Sequence, residues 1–118
     1  MSKNYDKTNV GDALRVELHD TLNLTGAEIS INNLPSGACV PFVHSHKNNE
    51  EIYIILDGQG YANIDGERIS LNAGYVVRIS PEAKRQFFAN REKSLKYICI
   101  QVRANSLNEF TASDAVIY

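Results

Sequence analysis

With 118 residues, the chain is long enough to form one domain with its own hydrophobic core, without disulfides or structural zinc. Twelve basic and 14 acidic side chains give a formal net charge of −2 at pH 7, and the basic residues are scattered. This distribution argues against a nucleic-acid or anionic-membrane surface and favours a small-molecule ligand. The longest apolar run, residues 52–56, is far shorter than the roughly 20 residues that cross a bilayer.

The N-terminal residues and the cysteines predict a protein in a reducing compartment. Residues 1–7 are polar and no apolar stretch follows them, which argues against a secretory signal and predicts a cytoplasmic protein. Cys39 and Cys99 are too few and too far apart for a disulfide scaffold, and we expect both to be buried thiols. We expect one domain over residues 1–118, with a flexible arm over 1–10, a core over about 27–102 and a C-terminal tail over 103–118.

Short runs rich in Val, Ile, Tyr and Phe alternate with Gly, Pro, Asn and Asp clusters along the chain. The pattern predicts an all-β sandwich or barrel. Asp65 and Gly66 lie between two alternating runs, as expected of a hairpin turn, because both tolerate positive φ. The predicted strands are 15–18, 27–32, 40–44, 51–57, 60–64, 67–71, 75–79, 86–89 and 96–102.

Two histidines and a glutamate form the most informative cluster of the sequence. His44 and His46 are two residues apart, so on a strand both imidazoles point to the same face, where one cation can contact both. Glu51 opens the next run, and a hairpin turn through residues 47–49 would bring its carboxylate beside them. Two imidazoles and one carboxylate form a facial triad with open coordination positions. We therefore predict a divalent metal ion (Fe, Mn, Zn or Ni) at these three residues.

The residues around this triad resemble the first motif of the cupin family, G-x5-H-x-H-x3-4-E-x6-G. His44, His46, Glu51 and Gly58 match its spacing, and only the opening glycine is displaced by one residue. The resemblance covers roughly residues 30–102. It implies a double-stranded β-helix, or jelly-roll, barrel with the metal in its pocket. It also implies a homodimer that pairs through its sheets or N-terminal strands.

The second cupin motif, G-x5-P-x-G-x2-H-x3-N, is similar to the stretch from Gly66 to Gly74, with Asn72 in place of proline. Arg85 stands where family members carry a histidine as fourth ligand. Because arginine stays protonated and has no lone pair to offer, it cannot coordinate a cation. The resemblance therefore implies three of the four usual ligands. Arg85 is predicted to enter the pocket, where it would either pair with Glu51 or bind the carboxylate or phosphate of a ligand. The alternative is that its side chain extends out to solvent.

Side-chain alternation leaves some assignments open. Only one of Glu50 and Glu51 can face the pocket, and the spacing to Gly58 favours Glu51. Tyr53 shares the parity of Glu51, so it would either bind substrate in the pocket or pack in the core. In the last strand Ile98, Ile100 and Val102 share one face, and Tyr97, Cys99 and Gln101 share the other. Alternation alone does not say which of these two faces lines the pocket.

Three functions are compatible with this sequence, and fold alone cannot choose among them. The first is a metal-dependent enzyme, such as a dioxygenase or an isomerase, acting on a small anionic metabolite that Arg85 clamps. The second is a non-catalytic binding or sensing module with weak or absent metal, which the loss of the fourth ligand favours. The third is a sugar-phosphate isomerase-like barrel, in which Arg85 would be the basic anchor.

Overall fold

A computed structural model describes residues 4–118 of the chain. These residues form seven antiparallel strands. The strands are β1 (Arg15–Glu17), β2 (Glu28–Leu34), β3 (Asn49–Ile64), β4 (Glu67–Asn72), β5 (Val76–Ile79), β6 (Arg85–Ala89) and β7 (Leu95–Arg103). One short 3-10 turn, Thr111–Ser113, lies in the C-terminal segment. The predicted all-β class is thereby confirmed.

The longest strand, β3, belongs to two sheets. Its first part pairs with β7 and β5, which gives sheet A the order β1-β2-β7-β3-β5. Its second part pairs with β4 and β6, which gives sheet B the order β4-β3-β6. The prediction of two strands, 51–57 and 60–64, was wrong. A register shift between Ile55 and Asp57 bends the ladder without ending it, and Gly58 follows this shift at a φ of 86°.

The predicted strand 40–44 is instead an irregular segment that runs along β6. The N–H of Val40 donates to the carbonyl of Phe87 at 2.9 Å, and the backbones of His44 and Arg85 exchange hydrogen bonds of 3.1 and 2.9 Å. Pro41 has no N–H group and interrupts the ladder. The predicted hairpin with the strand of Glu51 was therefore wrong, because the histidine segment pairs with sheet B.

The core lies between the two sheets and is centred on three aromatic rings. Tyr53 stacks on Phe87 with 4.1 Å between ring centroids, and Tyr97 packs against both rings. Cys99 belongs to this core, as predicted for both cysteines. The prediction was wrong for Cys39, which is exposed because it lies opposite Phe88 on the outer face of sheet B. The core comprises Tyr53, Ile55, Ala62, Leu71, Ile79, Phe87, Ala89, Leu95, Tyr97 and Cys99.

Gly58 allows β3 to pass closely by the start of β7, and its replacement should be costly. A Cβ at this position would overlap the carbonyl group of Ser94. The positive φ of 86° adds strain for any other residue. We expect Gly58→Ala to lower the free energy of unfolding by roughly 3–5 kcal/mol in urea denaturation. Gly66→Ala is the matched control: its φ is 83°, but nothing lies within 4 Å of its Cβ, so a loss of about 1–2 kcal/mol is expected. Equal losses in both variants would contradict the steric argument.

Most residues near both ends of the described chain are exposed. Of the predicted N-terminal arm, residues 1–3 lie outside the described residues, and residues 4–9 are exposed. The C-terminal segment is exposed from residue 105 onward, including the large apolar side chains of Leu107, Phe110 and Ile117. Within residues 4–118, no helix has the length and apolar character needed to cross a membrane.

Candidate metal centre

The three predicted metal ligands meet between the start of β3 and the start of β6. One donor atom from each of His44, His46 and Glu51 lies within 4.8 Å of the other two. Nε2 of His46 is 3.2 Å from Oε2 of Glu51, and Nε2 of His44 is 3.7 Å from Oε1. The two imidazole rings are nearly perpendicular, with centroids 5.2 Å apart. The structure thus brings the triad together across the two sheets.

The carboxylate of Glu51 is buried and held at both oxygens. The hydroxyl of Tyr53 donates to Oε1 at 2.7 Å, and the thiol of Cys99 donates to Oε2 at 3.2 Å. Burial alone would raise the pKa of Glu51. The two hydrogen bonds, together with the charges of His46 and Arg85, outweigh burial, so the pKa lies below its usual value. Glu51 is therefore ionised at neutral pH.

Tyr53 and Cys99 occupy positions that sequence alternation left undecided. The ring of Tyr53 is buried against Phe87 while its hydroxyl bonds Glu51, so its predicted role as a substrate-binding residue stays a prediction. Sequence reasoning did not assign Cys99, although it directly faces Tyr53 across the β3–β7 ladder. Burial first, then the neighbouring carboxylate of Glu51, raise the pKa of the Cys99 thiol to about 12. The thiol therefore keeps its proton and acts as a donor.

Arg85 is fully buried beside Glu51. Its Nη1 lies 3.5 Å from Oε1 of Glu51, and its Nη2 donates to the carbonyl of Ser80 at 2.6 Å. Nε and Nη1 have no hydrogen-bond partner among the described residues. The guanidinium thus extends into the site, and its placement matches the pairing with Glu51 that the sequence left open. Glu50, the other carboxylate considered as a metal ligand, instead has its Oε1 3.5 Å from Nη1 of Arg78.

Both imidazoles combine partial burial with contact to solvent. The side chains of His44 and His46 are 29% and 24% exposed, which leaves a route for a small ligand. Burial lowers the pKa of His44, the charge of Glu51 opposes this shift, and the charges of His46 and Arg85 add to it. The net effect favours the neutral imidazole, which is the form that coordinates metal ions.

The donor set fits a divalent metal ion. Ligand atoms about 2.0–2.2 Å from a common ion lie roughly 3–3.5 Å apart, close to the observed separations of Glu51 from the two histidines. Nε2 of His46, which lies 3.2 Å from Oε2 of Glu51, is buried and has no hydrogen-bond partner in residues 4–118. A buried polar atom of this kind costs free energy unless another group binds it. Arg85 opposes the fit, because its charge cancels that of Glu51.

Two facing antiparallel sheets with a His-His-Glu cluster between them define the class of protein. The sequence profile of the cupin domain matches residues 31–101, more than half of the chain. The chain therefore belongs to the cupin family, and the resemblance inferred from the motifs is confirmed.

Solved structures and curated sequences add relatives within this class. A cupin protein from Bacteroides fragilis is 56% identical, with a TM-score of 0.96 over 99% of both chains. A protein from Thermotoga maritima, described as a predicted oxalate decarboxylase, is 25% identical, with a TM-score of 0.58 over 64% of both chains. An uncharacterised protein from Methanocaldococcus jannaschii is 29% identical over 102 residues, which are 80% of each sequence.

Proposed function

We propose that this cupin domain binds one divalent metal ion through His44, His46 and Glu51, and a small anionic ligand beside that ion. The supporting observation is the convergence of three donor atoms within 4.8 Å, together with a buried ring nitrogen, Nε2 of His46, that has no hydrogen-bond partner in the described chain. An ionised carboxylate and a neutral His44 are the protonation states that coordination requires. The barrel that encloses this site is proposed to be the double-stranded β-helix of the family.

The buried guanidinium of Arg85 supports the proposal that the ligand is an anion. Its Nη1 and Nε groups are buried and have no hydrogen-bond partner within residues 4–118, and Nη1 lies 3.5 Å from Oε1 of Glu51. A carboxylate or phosphate would satisfy these N–H groups by charge-assisted hydrogen bonds. The Thermotoga maritima relative is described as a predicted oxalate decarboxylase, which makes small dicarboxylates the first probes to try.

A bound metal would supply Lewis acidity or an oxygen-activating centre. The residues of this chain contribute binding and orientation. Tyr53 and Cys99 hold the two oxygens of Glu51 in fixed directions, and Arg85 presents N–H groups to an anion. A metal-dependent reaction on a small anion, of the dioxygenase or isomerase type, is the enzymatic form of this proposal. The cytoplasmic location stays a prediction.

The proposal is tested by the metal content of protein purified without an affinity tag. Elemental analysis should find about one equivalent of a first-row metal per chain. Titration of the metal-loaded protein with oxalate, followed by calorimetry, should then show binding that weakens in Arg85→Gln. A protein that neither retains nor takes up divalent metal would contradict the proposed function.

A binding module without metal is the second candidate, and the contact between Arg85 and Glu51 favours it. This pair leaves the site with no net charge when both histidines are neutral, which reduces its attraction for a cation. Such a module would bind the anion equally well before and after treatment with a chelator. Loss of anion binding on chelation would assign the ligand to the metal-dependent site.

Metal retention should decrease as the pH falls from 8 towards 5. Protons compete with the metal for the imidazoles, and a protonated imidazole cannot coordinate. The lowered pKa of His44 moves its protonation to lower pH, so this residue remains a competent ligand above its shifted pKa. Equilibrium dialysis at several pH values, with elemental analysis, measures the effect. A metal content that is the same at pH 8 and pH 5 would argue against ligation by histidine.

A further inference from the structure

The outer face of sheet B carries a row of stacked side chains. Phe87 points into the core, so its neighbour Phe88 points outward. The rings of Phe88 on β6 and Tyr61 on β3 are nearly parallel, with an interplanar angle of 10° and centroids 4.6 Å apart. On β4, Cζ of Arg68 lies 3.6 Å from the centroid of the Tyr61 ring. Because β4 and β6 flank β3, the row consists of a guanidinium, a phenol and a phenyl ring in that order.

The position beyond Phe88 is the open end of this row. Residues 37–40 run along β6 on that side: the N–H of Gly37 donates to the carbonyl of Asn90 at 2.7 Å, and Cys39 forms a β-bridge with Phe88. Gly37 has no side chain, and the small side chain of Cys39 is exposed. The row therefore ends at Phe88, and a flat ring placed over Cys39 would continue it.

The open end of the row belongs to a surface groove, which we call the stacking groove. Its lining runs from residues 37–39 and 88–92 at the open end to residues of β3 and β4, including Tyr61 and Arg68, at the other end. Its volume of about 1260 Å³ is sufficient for a small organic molecule. Sites for such molecules combine aromatic surface with a few polar groups that fix the orientation of the ligand.

The charges of the stacking groove favour an anion. Arg68, Arg91 and Glu92 line it, so two guanidinium groups and one carboxylate give it a net charge of +1, whereas the whole chain carries −2. Arg68 is already stacked on Tyr61. Arg91 is exposed, and its guanidinium has no hydrogen bond or ion pair within residues 4–118. It is therefore available to a carboxylate or phosphate, which a guanidinium binds by charge-assisted hydrogen bonds.

We propose that the stacking groove is a second ligand site, which binds a small molecule with a planar aromatic ring and an anionic group. The ring stacks on Phe88 and covers Cys39, and the anionic group pairs with Arg91. A mononucleotide and an aromatic carboxylate both have this chemistry. The proposal is independent of the metal site, because Phe88 lies on the face of sheet B that points away from the core.

The thiol of Cys39 reports directly on occupancy of the groove. It is exposed, whereas Cys99, the only other cysteine of the chain, is buried. N-ethylmaleimide should therefore alkylate Cys39 first, and peptide mass spectrometry identifies the modified residue. The probes are AMP and 2-naphthoate. At about four times its dissociation constant, a probe that covers Cys39 should slow alkylation about fivefold.

The probes also distinguish the two kinds of ligand. Protection by AMP alone would assign a nucleotide, and protection by 2-naphthoate alone would assign an aromatic carboxylate. Adenosine lacks the anion and ribose 5-phosphate lacks the aromatic ring. If AMP is the better probe, each of these halves should bind about fivefold or more weakly than AMP.

Three variants test the proposed contacts. Phe88→Leu removes the aromatic plane but keeps an apolar side chain, and Arg91→Ala removes the cation from an exposed position. Each should raise the dissociation constant of the protecting probe by about fivefold. Arg103→Ala is the control, because Arg103 is an exposed arginine at the end of β7 in sheet A, and it should leave the constant unchanged. Each alkylation rate is divided by that of the same variant without probe, since the substitutions can change the reactivity of Cys39.

Circular dichroism of each variant separates loss of binding from loss of folding. Weakened protection in folded Arg91→Ala, beside unchanged protection in Arg103→Ala, would support the proposal even if Phe88→Leu failed to fold. Alkylation that neither probe slows at about 5 mM would overturn it, because a ligand of this size at a specific site would be bound at that concentration. Protection that a chelator abolishes would overturn it too, since the probe would then depend on the metal site. Protection by a single-stranded oligonucleotide and by neither probe would replace it with a nucleic-acid surface.

Discussion

Replacing Arg85 by histidine should raise the affinity of the site for divalent metal by about tenfold or more. The side chain of Arg85 is fully buried and its Nη1 lies 3.5 Å from Oε1 of Glu51. A histidine at this position can therefore place a ring nitrogen near the ligand atoms of the triad. The substitution removes a cation from the site and adds a fourth ligand, and both changes favour a bound dication. Competition with a fluorescent chelator measures the affinity.

Arg85→Gln separates the two contributions, because glutamine removes the charge without adding an imidazole. We expect the affinity of this variant to lie between those of the wild type and Arg85→His. An affinity in Arg85→His no higher than in the wild type would contradict both the proposed metal site and the position of Arg85 beside it. Thermal unfolding of both variants checks that the loss of the hydrogen bond to Ser80 has not disrupted the fold.

Replacing His46 by alanine should lower metal affinity by about 100-fold or more. It removes one of three donors and leaves Glu51 without the nitrogen that lies 3.2 Å from its Oε2. The fold should persist, since His46 is partly exposed and is not part of the hydrophobic core. Elemental analysis after dialysis, together with circular dichroism, measures both quantities.

His19→Ala is the matched control for this experiment. His19 is half-exposed and its ring bonds Asp20, away from the triad, so its removal should leave the metal content unchanged. Equal loss of metal in both variants would mean that the metal binds to histidines nonspecifically. Unfolding of His46→Ala would instead assign a structural role to the site.

The triad and the all-β class were accessible from sequence because both depend on local spacing. His44 and His46 are two residues apart, and Glu51 and Gly58 follow at motif distances. The spacing to Gly58 also favoured Glu51 over Glu50 as the inward carboxylate, in agreement with the burial of Glu51. These inferences need only the spacing of residues along the chain.

The parts that sequence missed depend on contacts between distant segments. The turn-like residues around Gly58 indicated the end of a strand, but pairing with β7 on one side and with β4 and β6 on the other keeps β3 continuous. The bond from Cys99 to Glu51 joins residues 48 positions apart, which no local pattern reports. The two faces of β7 could be assigned only once Tyr97 and Cys99 were found in the core.

The central place of β7 in sheet A sets the order in which this protein can fold during synthesis. β2 pairs with β7 along its whole length, and Leu34 and its partner Leu95 are about 60 residues apart in the chain. The ribosome must therefore release β7 before β2 acquires its principal partner. Contacts of such long range slow folding to the millisecond-to-second range. Until then β1 and β2 expose unpaired backbone edges, and this nascent state is the one that molecular chaperones would recognise.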